Sequence, residues 1–122
     1  MTKDVFRNNK FWHYSQNNSG GYFIESDVNG VCSDIIIEAE TASDANRKLY
    51  KMSVNTPEFF EYCECCGERW IVKDPVLDKG DDVPEMYGTP VSELVIFSSR
   101  NYCYIHRADG TIERVDFKKA EI

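Results

Sequence analysis

The sequence predicts an α+β domain: one main helix packed on a mostly antiparallel sheet of five or six strands, with a long, acidic, cysteine-containing irregular segment set into it. Three observations predict it. Ala42, Ala45, Leu49 and Met52 recur at helical intervals of three and four. Ile35-Ile36-Ile37, and the alternation through Tyr102, Tyr104 and His106, have strand character. Between them, Pro75, Gly80, Pro84, Gly88 and Pro90 interrupt any period over residues 57–90.

The elements follow in order. Residues 1–9 are polar and are expected to form a flexible or edge segment. Phe11-Trp12-His13-Tyr14 reads as a short aromatic strand, and Tyr22-Phe23-Ile24-Glu25 as another. The turn cluster Gln16-Asn17-Asn18-Ser19-Gly20-Gly21 lies between them, so the expectation is a β-hairpin with a longer loop. After a second turn at Asp27-Val28-Asn29-Gly30, residues 31–40 form a strand. Its triple Ile suggests cover on both faces. Thr41 offers a helix N-cap with Asp44 three residues on, and the helix is expected over about 42–53. Asn55-Thr56-Pro57 ends it. Leu94-Val95-Ile96-Phe97 is a buried-strand candidate. Asp109-Gly110 is a hairpin turn joining the strand around Tyr102–His106 to its partner around 111–117.

A chain of 122 residues suits a single domain, 1–122, able to bury a core without disulfide or metal. Its net charge is −7 and its pI is about 4.8, which repels phosphate backbones and anionic lipid headgroups. Non-specific nucleic-acid binding and membrane binding are therefore excluded from the expected functions. The excess is local: residues 58–93 hold 10 acidic and 3 basic side chains. The start MTKDVFRNNK has no apolar stretch of the kind a secretion signal needs. Five cysteines cannot all pair with one another, so free thiols or metal ligands in a reducing cytosol are expected, with no stable disulfide.

The chemistry-bearing features are few. Cys63 and Cys66 have the C-x-x-C spacing that lets two thiolates reach one Zn²⁺, with Cys32 or His106 among the candidates for the remaining ligands. The alternative is a loop whose thiols pack as small hydrophobes. The Gln16–Gly21 loop, with Gln16, Asn17, Asn18 and Ser19, can expose backbone N–H groups to an anion beside Trp12 and Tyr14. The alternative is ordinary turn chemistry. Asp78, Asp81 and Asp82 lack the EF-hand pattern and read first as a solvated acidic loop. Two histidines, neither beside a nucleophile in sequence, give no complete catalytic signature, and the expectation is a protein that is not an enzyme.

Three motifs then occur in order: YSQNNSGG at Tyr14–Gly21, IIIEAETASDAN at Ile35–Asn46 and CECCGERW at Cys63–Trp70. In this combination, over roughly residues 11–117, the chain resembles a family of small tailed-bacteriophage proteins with no assigned activity. The resemblance implies a phage accessory protein working in the cytoplasm of the bacterial host. Such a protein is expected to bind and inhibit or redirect a host protein, for example a defence component, with the acidic 58–93 segment steering it to a basic surface of that partner. Arg69, Trp70, Asp78, Asp81 and Asp82 are the expected contact residues. The alternatives are a binder that sequesters a small nucleotide-like ligand near Trp12 and Arg69, and a small enzyme using a Cys–His pair assembled in space.

Overall fold

The computed structural model describes residues 9–16, 24–55, 62–63, 67–68, 70–96 and 100–119. The α+β class is as expected. Four strands form the main sheet: β1 (Lys10–Ser15), β2 (Asp34–Ala39), β7 (Tyr102–His106) and β8 (Ile112–Asp116), in the order β1-β2-β7-β8. β1 and β2 are antiparallel, β2 and β7 parallel, and β7 and β8 antiparallel. The one helix of the described residues, α1 (Ala42–Asn55), follows β2. Two short hairpins, β3 (Tyr62–Cys63) with β4 (Gly67–Glu68) and β5 (Glu85–Met86) with β6 (Thr89–Pro90), form separate two-stranded sheets.

The triple Ile explains why β2 is central. Ile35, Ile36 and Ile37 are all fully buried. Adjacent side chains on a strand point to opposite faces, so a strand apolar at three successive positions needs cover on both. On one face Ile35 and Ile37 join Trp12, Tyr14, Tyr104 and Trp70 under the Ala42, Ala45 and Leu49 side of α1. On the other, Ile36 joins Cys103, Ile105 and Phe117 beneath Met86, Val91 and Leu94. The helix starts where the cap requires: the Asp44 N–H donates to Thr41 Oγ1 at 3.1 Å.

Two local expectations are corrected. The ladder partner of β1 is β2, and Ile24 and Glu25, the described part of the strand expected over Tyr22–Glu25, lie outside any strand; Tyr22 and Phe23 lie outside the described residues. The reason is the Gln16 side chain. Its amide nitrogen donates to Ile24 O at 2.7 Å and to Cys32 O at 2.7 Å, and its amide oxygen accepts from Ile24 N–H at 3.0 Å. A side-chain amide thus stands in for a strand's peptide group. The second concerns Leu94–Phe97. Val91–Glu93 is a 3-10 turn, and instead of joining the ladder the backbone that follows bonds to Lys118, by Lys118 N–H to Leu94 O and Ile96 N–H to Lys118 O, both 2.8 Å. Phe97 is outside the described residues. The C-terminal hairpin forms around Asp109-Gly110, with Gly110 at φ 93°.

No helix among the described residues is long and apolar enough to cross a membrane.

Candidate functional site

Residues 70–83 form a strap along the outer edge of β1, and its anchors can be counted. Trp70 is buried beside Trp12 and Tyr14. Its indole N–H finds no acceptor among the described residues. Three residues on, α1 grips the backbone: Asn46 Nδ2 donates to Lys73 O at 2.8 Å, and Lys73 N–H donates to Asn46 Oδ1 at 2.9 Å. The Tyr14 hydroxyl donates to the same Asn46 oxygen at 2.8 Å. At the far end, Asp81 and Phe11 exchange two backbone hydrogen bonds of 2.9 Å, and Asp82 pairs with Lys10. Gly80 is required there. Its φ is 72°, and a Cβ would stand 2.7 Å from Lys10 Cβ and 3.0 Å from the Trp12 ring.

Between these anchors the chain stands off as a turn, Asp74-Pro75-Val76-Leu77-Asp78, that caps itself. Asp74 Oδ1 accepts the Val76 N–H at 2.7 Å and the Leu77 N–H at 3.0 Å. Asp78 Oδ2 accepts the Asp74 N–H at 2.6 Å, and the Asp78 N–H returns to Asp74 O at 3.0 Å. The hydrogen bonds from Leu77 and Val76 hold the Asp74 carboxyl below its usual range. This order displays apolar groups to water: Val76 is 74% exposed and Leu77 75%, with Ile71 also exposed. The acidic side chains Asp74 and Asp78 flank the tip.

A second constellation lies on the opposite face of β1. Asp34 is fully buried at the start of β2. Its carboxylate accepts from His13 Nε2 at 2.8 Å, Arg100 Nε at 2.9 Å, the Tyr87 hydroxyl at 3.1 Å and the Ser33 hydroxyl at 3.2 Å. Burial alone would push this carboxyl up. The hydrogen bond and charge of His13, the charge of Arg100 and a hydrogen bond from Ser15 outweigh it, and the group stays ionised below its usual range. Tyr87 reaches Asp34 from the β5–β6 turn, where Tyr87 at φ 54° and Gly88 at φ 82° are both left-handed, as a two-residue type I′ hairpin requires. The Tyr87 and His13 rings meet edge to face at 5.1 Å. The cluster ties β1, β2, the β5–β6 hairpin and the approach to β7 to one charge.

The sequence-selected residues divide clearly. Asp78, Asp81 and Asp82 lie on the strap. Trp12, Tyr14, Gln16 and Trp70 are buried, and the Trp12 indole donates to Ala39 O at 3.0 Å. Asn17, Asn18, Ser19, Arg69 and Cys66 lie outside the described residues, and Cys63 is described only as the end of β3. Cys32 and His106, the candidates to complete a zinc site, are not brought together. The Cys32 thiol donates to Asp34 O at 3.1 Å, and His106 Nε2 meets Gly30 O at 2.7 Å. Among the described residues no group of three or more His, Cys, Asp or Glu side chains is placed to hold a metal. Burial pushes the thiols of Cys32 and Cys103 up to about 12, so neither is an activated nucleophile.

Sequence reasoning missed Val76, Leu77 and the Asp34 cluster. Signals existed. Asp74 precedes Val76 and Leu77 by the two and three residues that a capping carboxylate needs. Asp34 opens an apolar run, where a charge needs partners.

None of the curated proteins and none of the solved structures matches the chain. One family model, described as Domain of unknown function (DUF7296), matches residues 9–122.

Proposed function

We propose that this chain, which belongs to the DUF7296 family, a domain of unknown function, acts by binding a partner protein through its strap rather than by catalysis. The observation that carries this reading is the self-capped turn holding Val76 and Leu77 out in water. Exposing two aliphatic side chains on an ordered turn has no folding benefit, whereas a preordered contact loses less entropy on binding. Asp74 and Asp78 beside the tip favour a partner whose apolar site has a basic rim, and the local negative charge speeds encounter with it. In its setting we read the protein as a phage accessory protein that inhibits or redirects a host protein in the bacterial cytoplasm. Nucleotide capture draws less support, because Trp12 and Tyr14 are buried and the Gln16 amide is occupied by backbone.

The test is affinity capture from host lysate with wild type, Leu77→Asp and Val76→Asp. The wild type should retain a specific protein that both variants lose, with melting temperatures unchanged. Equal recovery by all three would refute the strap as the contact. No protein partner at low salt, with a nucleotide co-purifying stoichiometrically, would transfer the function to ligand capture.

A further inference from the structure

The displayed turn has a complement within the same molecule, at a place the same chain cannot reach. The sheet order sets β1, which carries the strap, at one edge and β8 at the other. Beside β8 lies a groove of about 340 Å³ lined by Val28, Asn29, Lys51, Met52, His106 and Ile112. Two of its apolar side chains face water, Val28 at 89% exposed and Ile112 at 43%. The wall bearing Val28 is ordered. Asn29 donates to Ser26 Oγ from its backbone at 3.3 Å and from its side chain at 3.1 Å, and His106 Nε2 contacts Gly30 O. Lys51 is the lysine of that lining; it also borders the adjoining cleft along α1, where Arg47 and Lys48 stand with Glu40 and Asp44 and Arg47 pairs with Asp44. The groove thus sets the apolar side chains of Val28, Met52 and Ile112 beside a single lysine, in a protein whose net charge is −7.

That is the chemistry the strap turn lacks. Val76 and Leu77 are aliphatic, and the carboxylates beside them are anionic. We propose that the groove receives the Val76–Leu77 turn of a second copy of this chain. The inference rests on the docking role given to that turn above and names a further occupant for it. Tip and groove sit at opposite edges, so the contact is heterologous: each junction leaves one tip and one groove free, and copies add head to tail. Self-association would cover the tip, and a host partner would compete with the second copy for it.

Sedimentation velocity on the whole chain over a concentration series tests this. The wild-type mass should rise with concentration and fall as salt is raised, because the attraction between the tip's carboxylates and Lys51 is screened. Leu77→Asp and Ile112→Asp should each weaken association by at least about tenfold, as loss of a buried contact at an interface centre does. Mixed in equal amounts, the two variants should form a heterodimer and stop there, since one intact tip meets one intact groove. Val28→Asp serves as the groove variant where Ile112→Asp lowers the melting temperature. A wild type that stays monomeric over the whole series, or variants that stay monomeric when mixed, would overturn the proposal. If the wild type is monomeric while Leu77→Asp still loses the host protein, self-association alone falls. If Leu77→Asp retains the host protein, the docking reading falls.

Discussion

At the scale of single residues, Asp34 carries the most consequence. A carboxylate that is fully buried is tolerable only with donors around it, and His13, Arg100, Tyr87 and Ser33 supply them. Asp34→Asn removes the charge that Arg100 faces and is expected to cost about 3 kcal/mol or more in urea unfolding. The pH dependence has a definite sign. The folded-state pKa of Asp34 is depressed, so its contribution is complete above the unfolded value and is lost as pH falls through the folded one. Wild type should therefore lose more stability than Asp34→Asn on acidification below about pH 4. Only the need for partners was legible locally, not their identity. The sequence shows an Asp before three Ile residues, whereas the donors come from positions as far away as Arg100. Gln16 is similar: its amide replaces a strand partner for Ile24, and composition alone read that stretch as a hairpin.

At the scale of elements, α1 and the strap differ in how their order arises. The helix follows from local signals, the three-and-four spacing and the Thr41 cap, and it appears where they place it. Leu49→Ala on its buried face should cost about 2–5 kcal/mol, read by chemical denaturation. The strap looked irregular because its order comes from side chains bonding to backbone and from distant partners, Asn46 on Lys73 and Phe11 on Asp81. Asp74→Ala should speed hydrogen exchange at the Val76 and Leu77 amides while the melting temperature stays nearly unchanged. Unchanged exchange there would show that the turn does not depend on its cap. Gly80→Ala should do more, since the added Cβ meets Lys10 and Trp12 on a positive φ. Slower docking and a lower melting temperature are both expected of it.

At the scale of the whole molecule, charge and topology are separate matters. The net charge and its concentration in residues 58–93 were plain in the sequence. Asp78→Lys should slow association with a basic-rimmed partner and flatten its salt dependence, measured by stopped flow, with the melting temperature nearly unchanged. The class of fold and the C-terminal hairpin were also legible, because patterning and turn chemistry are local. The strand order was not. Nothing in the pattern of β1 distinguishes Tyr22–Glu25 from β2 as its neighbour, and the parallel pairing of β2 with β7 joins stretches that local periodicity cannot relate.

That parallel pairing also sets an order of assembly. Ile36 of β2 meets Ile105 of β7, 69 positions later. During synthesis β1, β2 and α1 leave the ribosome first and can pack together, but one flank of the most apolar strand in the protein stays open until β7 emerges. Over that interval the nascent chain presents an unpaired, isoleucine-rich edge, the kind of surface that invites aggregation or chaperone capture. A chain halted before Tyr102 should therefore be aggregation-prone even with its helix formed. The finished protein should refold slowly for its size, since loop closure over that distance precedes any gain from the pairing.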